Sequence, residues 1–146
     1  MKKSLSIALY YNMLKRIVTM DVKAYATHLR TKQDLRKLLA PAIIGCEYNG
    51  KDAIDTNTLI PTQIIFHPVM SDGLKKLLPY KVGQKTPCRN RVGACAENVS
   101  GNSVLWQLND ANQKIPELWD LDFTVALRPR TFSLVPTCDN CLTVFN

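Results

Sequence analysis

Apolar residues recur at helical spacing over residues 4–18, where Leu5, Ala8, Leu9, Met13 and Ile17 share one face. Asp21 can cap a second helix carrying Val22, Tyr25 and Leu29. The stretch TKQD at 31–34 reads as a capping box for its continuation through Leu35, Leu38 and Leu39, and Pro41 stops it. Beyond that proline the period changes. AIIGCEY and KDAID predict two short strands joined by Asn49-Gly50, the favoured pair for a two-residue hairpin turn. TQIIFHPVM is a short apolar run ended by Pro68, and SDGLKKLL predicts a short helix. Residues 79–93, with two prolines, two glycines and many basic and polar groups, predict a loop. From about Ala94 to Leu108 the pattern is helical again through Val99, Val104, Leu105 and Leu108, although Gly101 costs roughly 1 kcal/mol there. DFTVALRP predicts a strand ending at Pro129, and CDNCLTVF predicts the last helix. Helices, hairpin, helix, strand, helix is the order expected of an α/β layered domain.

At 146 residues and 46% hydrophobic, the chain fits a single domain with a sizeable core. Residues 1–40 form a helical, basic segment and 41–146 the core. No apolar run approaches the roughly 18 residues that span a bilayer, so no membrane partner is expected. The N-terminus imitates a secretory signal through its lysines and short apolar run. Asn12 and Lys15-Arg16 interrupt that run, and no clean small-residue cleavage site follows. An amphipathic helix and a cytoplasmic location are the expectation, with export as the alternative.

The net charge of +7 is unevenly placed. Residues 1–40 hold 9 Lys/Arg and 2 Asp/Glu, which accounts for the whole excess, and the rest of the chain is balanced. A basic face of this kind holds a polyanion or an acidic partner, or is a solvated helix face. A second basic cluster contains no acid: Lys75, Lys76, Lys81, Lys85, Arg89 and Arg91 run directly up to Cys95.

The 5 cysteines are an odd number, which argues against a fully paired disulfide framework. Cys138 and Cys141 form CDNC, a spacing suited to metal or redox chemistry, and Cys95 stands two residues before Glu97 in GACAENVS. Both motifs fall where a loop enters a helix. There the free N–H groups and the helix dipole favour thiolate over thiol. Three thiolates converging from two helices would give a zinc site with its fourth position open to water, the pattern of a catalytic zinc. Glu97 would sit beside that water without being a ligand, placed to take its proton and deliver it to a leaving group. Hydrolytic deamination of a base needs that combination. Cys88 is the rival: with Cys95, Cys138 and Cys141 it could close a four-cysteine structural site, although it lacks the usual two-to-four-residue spacer. Cys46 reads as a buried strand residue.

CAE, then a strand, then PTCDNC resembles the [His/Cys]-x-Glu … Pro-Cys-x-x-Cys signature of zinc-dependent nucleobase deaminases. The chain is similar in particular to the YwqJ-like deaminase domains of bacterial polymorphic toxins. PAIIGCEYNGK looks like that family's opening hairpin, FHP its His-Pro motif, GACAENVS its helix start and PTCDNC its closing motif. The likeness covers about residues 41–141. It implies a cytidine-deaminase-like α/β/α domain with a small mixed sheet and helices on both faces. By it, zinc ligands carry over to Cys95, Cys138 and Cys141 and the proton shuttle to Glu97. It also implies a nucleic acid or nucleotide substrate, with cytosine to uracil the expected conversion, and an immunity protein as partner of a delivered toxin. Two departures stand: Thr137 separates Pro136 from Cys138, and five residues follow Cys141, so the sheet should be smaller.

By default His67 is a satisfied core or loop histidine; the resemblance makes it a hydrogen-bond partner for substrate. Phe132, between Arg130 and the metal motif, is a candidate for base stacking or for packing. Arg89 and Arg91 are candidate substrate contacts. Trp106 and Trp119 are expected in the core, and His28 on the surface. The reading from another class is a non-catalytic, zinc-stabilised module that binds nucleic acid or protein, for which Glu97 would have no use.

Overall fold

Asn49 and Gly50 both adopt positive φ, 49° and 78°, as a tight hairpin turn requires. They join β1 (Ile43–Tyr48) to β2 (Lys51–Thr56), paired antiparallel from Ile43↔Thr56 to Tyr48↔Lys51. A computed structural model of the chain describes residues 1–3, 42–128 and 133–146. The helices expected over 4–39 lie outside the described residues, as do His28, Pro129 and Phe132.

On its other edge β1 pairs with β3 (Asp122–Phe123) and β4 (Ala126–Leu127), the two halves of the single strand expected there. Thr124 interrupts the ladder. The Gly45 N–H donates to Thr124 Oγ1 at 2.9 Å while the Thr124 N–H donates to the Gly45 carbonyl at 2.9 Å, so a side chain replaces one backbone acceptor. The chain then returns as β5 (Leu134–Val135), a strand the apolar pattern does not announce, paired to β4. The order is β2-β1-β4-β5, with β3 on β1.

All four ladders are antiparallel. The expectation of a mixed sheet is therefore corrected to an antiparallel one, apart from an isolated parallel bridge between Lys2 and Asp122. The β1–β2 and β4–β5 connections are too short for parallel crossovers, which need a dozen residues or more.

Three helices complete the described residues: α1 (Pro68–Leu74), extended by a 3-10 turn over Lys75–Leu77, α2 (Ala96–Asp110) and α3 (Asp139–Val144). α2 lies on β1 and β2. Ile44 and Cys46 point from β1 into one core with Val104, Leu105 and Leu108 of α2, Met70 of α1 and Cys141 and Val144 of α3. Phe123 and Phe145 meet edge to face there, 5.1 Å between centroids. The two glycines that weaken helices locally serve this packing. A methyl group at Gly73 would collide with Leu118, and one at Gly101 would stand 3.2 Å from Met70. Ile43 and Leu127 are buried on the opposite sheet face with Ile54. The described helices all join the first core.

Trp119 departs from expectation. It is 50% exposed, with Lys76 Nζ 5.9 Å from its ring centroid, because the turn at Leu118–Asp120 buries Leu118 instead. Trp106 is half-buried and donates its Nε1–H to the Ile65 carbonyl at 2.9 Å.

Candidate metal centre

Two helix starts converge. Cys95 is the N-cap residue of α2 and Cys138 that of α3, and Cys141 follows one turn into α3. Extended backbone at both caps turns the two thiols toward each other, with Sγ atoms 3.3 Å apart. The sulfurs of Cys95, Cys138 and Cys141 all lie within 4.8 Å of one another, and this is the group of potential metal ligands found among the described residues. Bonds of about 2.3 Å from zinc set ligand sulfurs about 3.8 Å apart in a tetrahedron, so the three fit around one ion. Thiolate donors select soft or borderline metals.

Without a metal the thiols share charge. Hydrogen bonds from Cys141 and Cys95 hold Cys138 well below the ordinary thiol range, aided by the Asn90 side chain. The same bonds push the other two up, Cys95 chiefly through Cys138 and Cys141 through Cys138 and then Cys95. A cation bound here would replace the protons that keep those two thiols neutral.

Glu97 enters from the first turn of α2. It is only 5% exposed, and burial raises its carboxyl above the ordinary range. It lines, with Cys95 and Cys138, a cavity of about 110 Å³ walled by Ala42, Ala94, Ala96, Ala126, Val135 and Pro136. Asn57 and Asn90 supply the polar wall, and sequence reading singles out neither. Asn57 also fixes the wall, accepting from the Ala42 N–H through Oδ1 at 3.3 Å. A carboxylate, a small apolar slot and a three-thiol cluster thus meet at one place.

The other candidates lie elsewhere. Cys88 stands outside the sulfur cluster with its Sγ 3.2 Å from Thr86 Oγ1, so a four-cysteine site is not assembled. His67 is the N-cap of α1: its Nδ1 accepts from the Val69 N–H at 3.2 Å, and its ring meets Trp106 edge to face at 4.9 Å. It is buried and is not among the residues that line the cavity. Asn102 secures it, accepting from the His67 N–H at 2.7 Å and donating to the Ile65 carbonyl at 3.0 Å. One turn earlier on α2, the fully buried amide of Asn98 has no hydrogen-bond partner among the described residues.

Comparison with known proteins adds no assignment. No family model, curated protein or solved structure matches this chain. No helix among the described residues is long and apolar enough to cross a membrane.

The basic cluster divides in two. Lys75 pairs with Asp72 at 3.0 Å, Lys76 donates to the carbonyls of Val144 and Asn146 at the end of α3, and Arg91 Nη1 donates to the Gly83 carbonyl at 2.8 Å. These three cations brace the structure. Lys81, Lys85 and Arg89 are exposed and have no side-chain partner among the described residues.

Proposed function

We propose that this protein is a zinc-dependent hydrolytic deaminase of a nucleobase, converting cytosine to uracil. The observation that carries the proposal is Glu97: a buried carboxylate, raised toward its protonated form, on the wall shared by the sulfur cluster and the cavity. A purely structural metal site has no use for an acid there, and a buried carboxyl raised above its ordinary range suits a group that takes up and passes on protons.

Cys95, Cys138 and Cys141 would hold the ion, which when bound supplies Lewis acidity and an activated water. The chain's own groups do the rest. The small apolar walls of Ala42, Ala94, Ala126 and Val135 admit a flat ring and exclude bulk solvent. Asn57 and Asn90 offer amide groups to the polar edge of the base. Glu97 takes a proton from water as its oxygen adds to C4 and gives it to the ring nitrogen. It then takes the second proton from the new C4 hydroxyl and gives it to the departing amine as the C4–N bond breaks. Water adds, ammonia leaves, and uracil remains.

The likeness of CAE and PTCDNC to the toxin-domain deaminases supports this reading and extends it to an effector held in check by an immunity protein. The test is direct. Zinc-loaded protein is incubated with cytidine, deoxycytidine monophosphate and a cytosine-containing single strand, and ammonia and uracil are measured. Product from at least one of them is expected. A folded, zinc-loaded protein inert on all three, and on the adenine equivalents, would leave a non-catalytic zinc-stabilised module as the better account.

A further inference from the structure

Residues 81–94 form a hairpin-like loop beside the cavity. Lys85 bridges antiparallel to Arg91, the Gly83 N–H donates to the Val92 carbonyl at 3.0 Å, and the Val92 N–H donates to the Gln84 carbonyl at 2.9 Å. At its tip the Arg89 N–H donates to the Thr86 carbonyl at 2.8 Å and the Thr86 N–H donates to the Asn90 carbonyl at 3.1 Å. That is a four-residue turn, Thr86 to Arg89, whose last residue is left-handed, a position where glycine or asparagine is favoured. Here it is Arg89, with φ 68°. An exposed arginine with no side-chain partner among the described residues, in a conformation that disfavours it, calls for a use of its side chain.

The loop is anchored to the metal centre. Thr86 Oγ1 donates to Asn140 Oδ1 at 2.8 Å, and Asn140 Nδ2 donates to the Asn90 carbonyl at 3.4 Å. Asn140 lies between Cys138 and Cys141, and Asn90 lines the cavity. Arg89 is therefore held next to the cavity's polar wall on a braced support.

Among the described residues no lysine or arginine lines the cavity, and its titratable groups are the Glu97 carboxyl and the Cys95 and Cys138 thiols. Such a slot takes an uncharged ring and repels a phosphate. Lys85 and Arg89, without a side-chain partner among the described residues, are not in its lining but on the hairpin that carries the lining residue Asn90. We infer that the hairpin is the phosphate-binding edge of a single-strand nucleic-acid site, with Arg89 and Lys85 holding backbone phosphates beside the base that enters the cavity. This rests on the deaminase reading and narrows its substrate from any nucleotide to a strand whose base is out of the stack.

Arg89→Gly makes an unusually clean test, because glycine suits φ 68° and removes only the side chain. The double variant Arg89→Gly, Lys85→Gln is expected to keep its zinc and its melting temperature. Binding is read by fluorescence anisotropy on a thymine-only single-stranded oligonucleotide, which is not a deamination substrate. The parent should bind with a marked salt dependence. The double variant should bind about tenfold more weakly, and its log–log salt slope should flatten by ~0.7 per lost contact. Unchanged affinity in the variant, or no binding by the parent, overturns the inference. If the parent fails to bind the strand yet deaminates free cytidine, the deaminase reading survives alone. If it binds the strand by these cations yet deaminates nothing, the surface survives and that reading falls.

Discussion

Cys95 and Cys138 stand 43 residues apart in the sequence, yet each caps a helix and their sulfurs meet at 3.3 Å. A helix start places its first side chain, its free N–H groups and its positive dipole end at one point. Two such points facing each other concentrate positive potential on the thiols, and Cys141, one turn into α3, supplies a third sulfur to the same spot. The three-sulfur cluster is thus a property of how α2 and α3 converge.

Metal content follows from that geometry. Purified protein should carry about one zinc per chain, and a chelator should lower its melting temperature, because metal binding and folding are linked. Cys138→Ser and Cys95→Ala should lose the ion and much of that stability. Cys88→Ser should lose neither, since Cys88 contacts Thr86 and stands outside the sulfur cluster. Elemental analysis beside thermal denaturation decides it: zinc lost from Cys88→Ser as fully as from Cys138→Ser would contradict the three-sulfur centre.

What was legible in the sequence was local. Asn49-Gly50 encodes its turn in two residues, and CAENVS and CDNC each mark a helix start within a few positions. What was hidden depends on partners distant in the chain. The break at Thr124 exists because its hydroxyl accepts from Gly45 across the sheet, and β5 is two residues held by pairing with β4 and by Val135 packing on the core. Asn57 and Asn90 line the cavity from a strand end and a loop, where no periodicity points. Three of the six clustered cations brace the structure, through a carboxylate, a helix C-terminus and a backbone carbonyl that charge counting does not register. His67 carried a readable signal, since a proline at the first helical position marks the residue before it as the cap.

That cap separates two roles for His67. If the imidazole serves α1, His67→Ala should destabilise the protein by ~1 kcal/mol in urea denaturation, and His67→Asn, a good capping residue, should restore most of it. Both variants should keep the KM of the parent toward whichever substrate it deaminates. A His67→Asn protein of full stability and sharply raised KM would place the ring in substrate recognition instead.

Glu97 is where stability and chemistry should oppose each other. Burial raises its carboxyl above the unfolded-state value, so the folded protein holds the proton more tightly than the unfolded chain does. The stability that this confers is complete below the unfolded value, near pH 4, and is lost as pH rises through the folded value. At pH 7 the native state must hold a buried carboxylate or keep a proton against solution. Glu97→Gln has no such cost. In metal-free protein it should match the parent near pH 4 and exceed it by ~1 kcal/mol at pH 7, the usual gain when a functional constraint is relieved. Loaded with zinc, the same variant should retain the ion, because Glu97 is not one of the three sulfur ligands. Its deamination should nonetheless fall by at least ~100-fold, since an amide cannot carry the proton from water to the departing amine. Chemical denaturation at the two pH values, beside a turnover assay, reads both effects from one protein. A Gln variant that is no more stable and still turns over would mean that the carboxylate beside Cys95 neither strains the fold nor moves a proton.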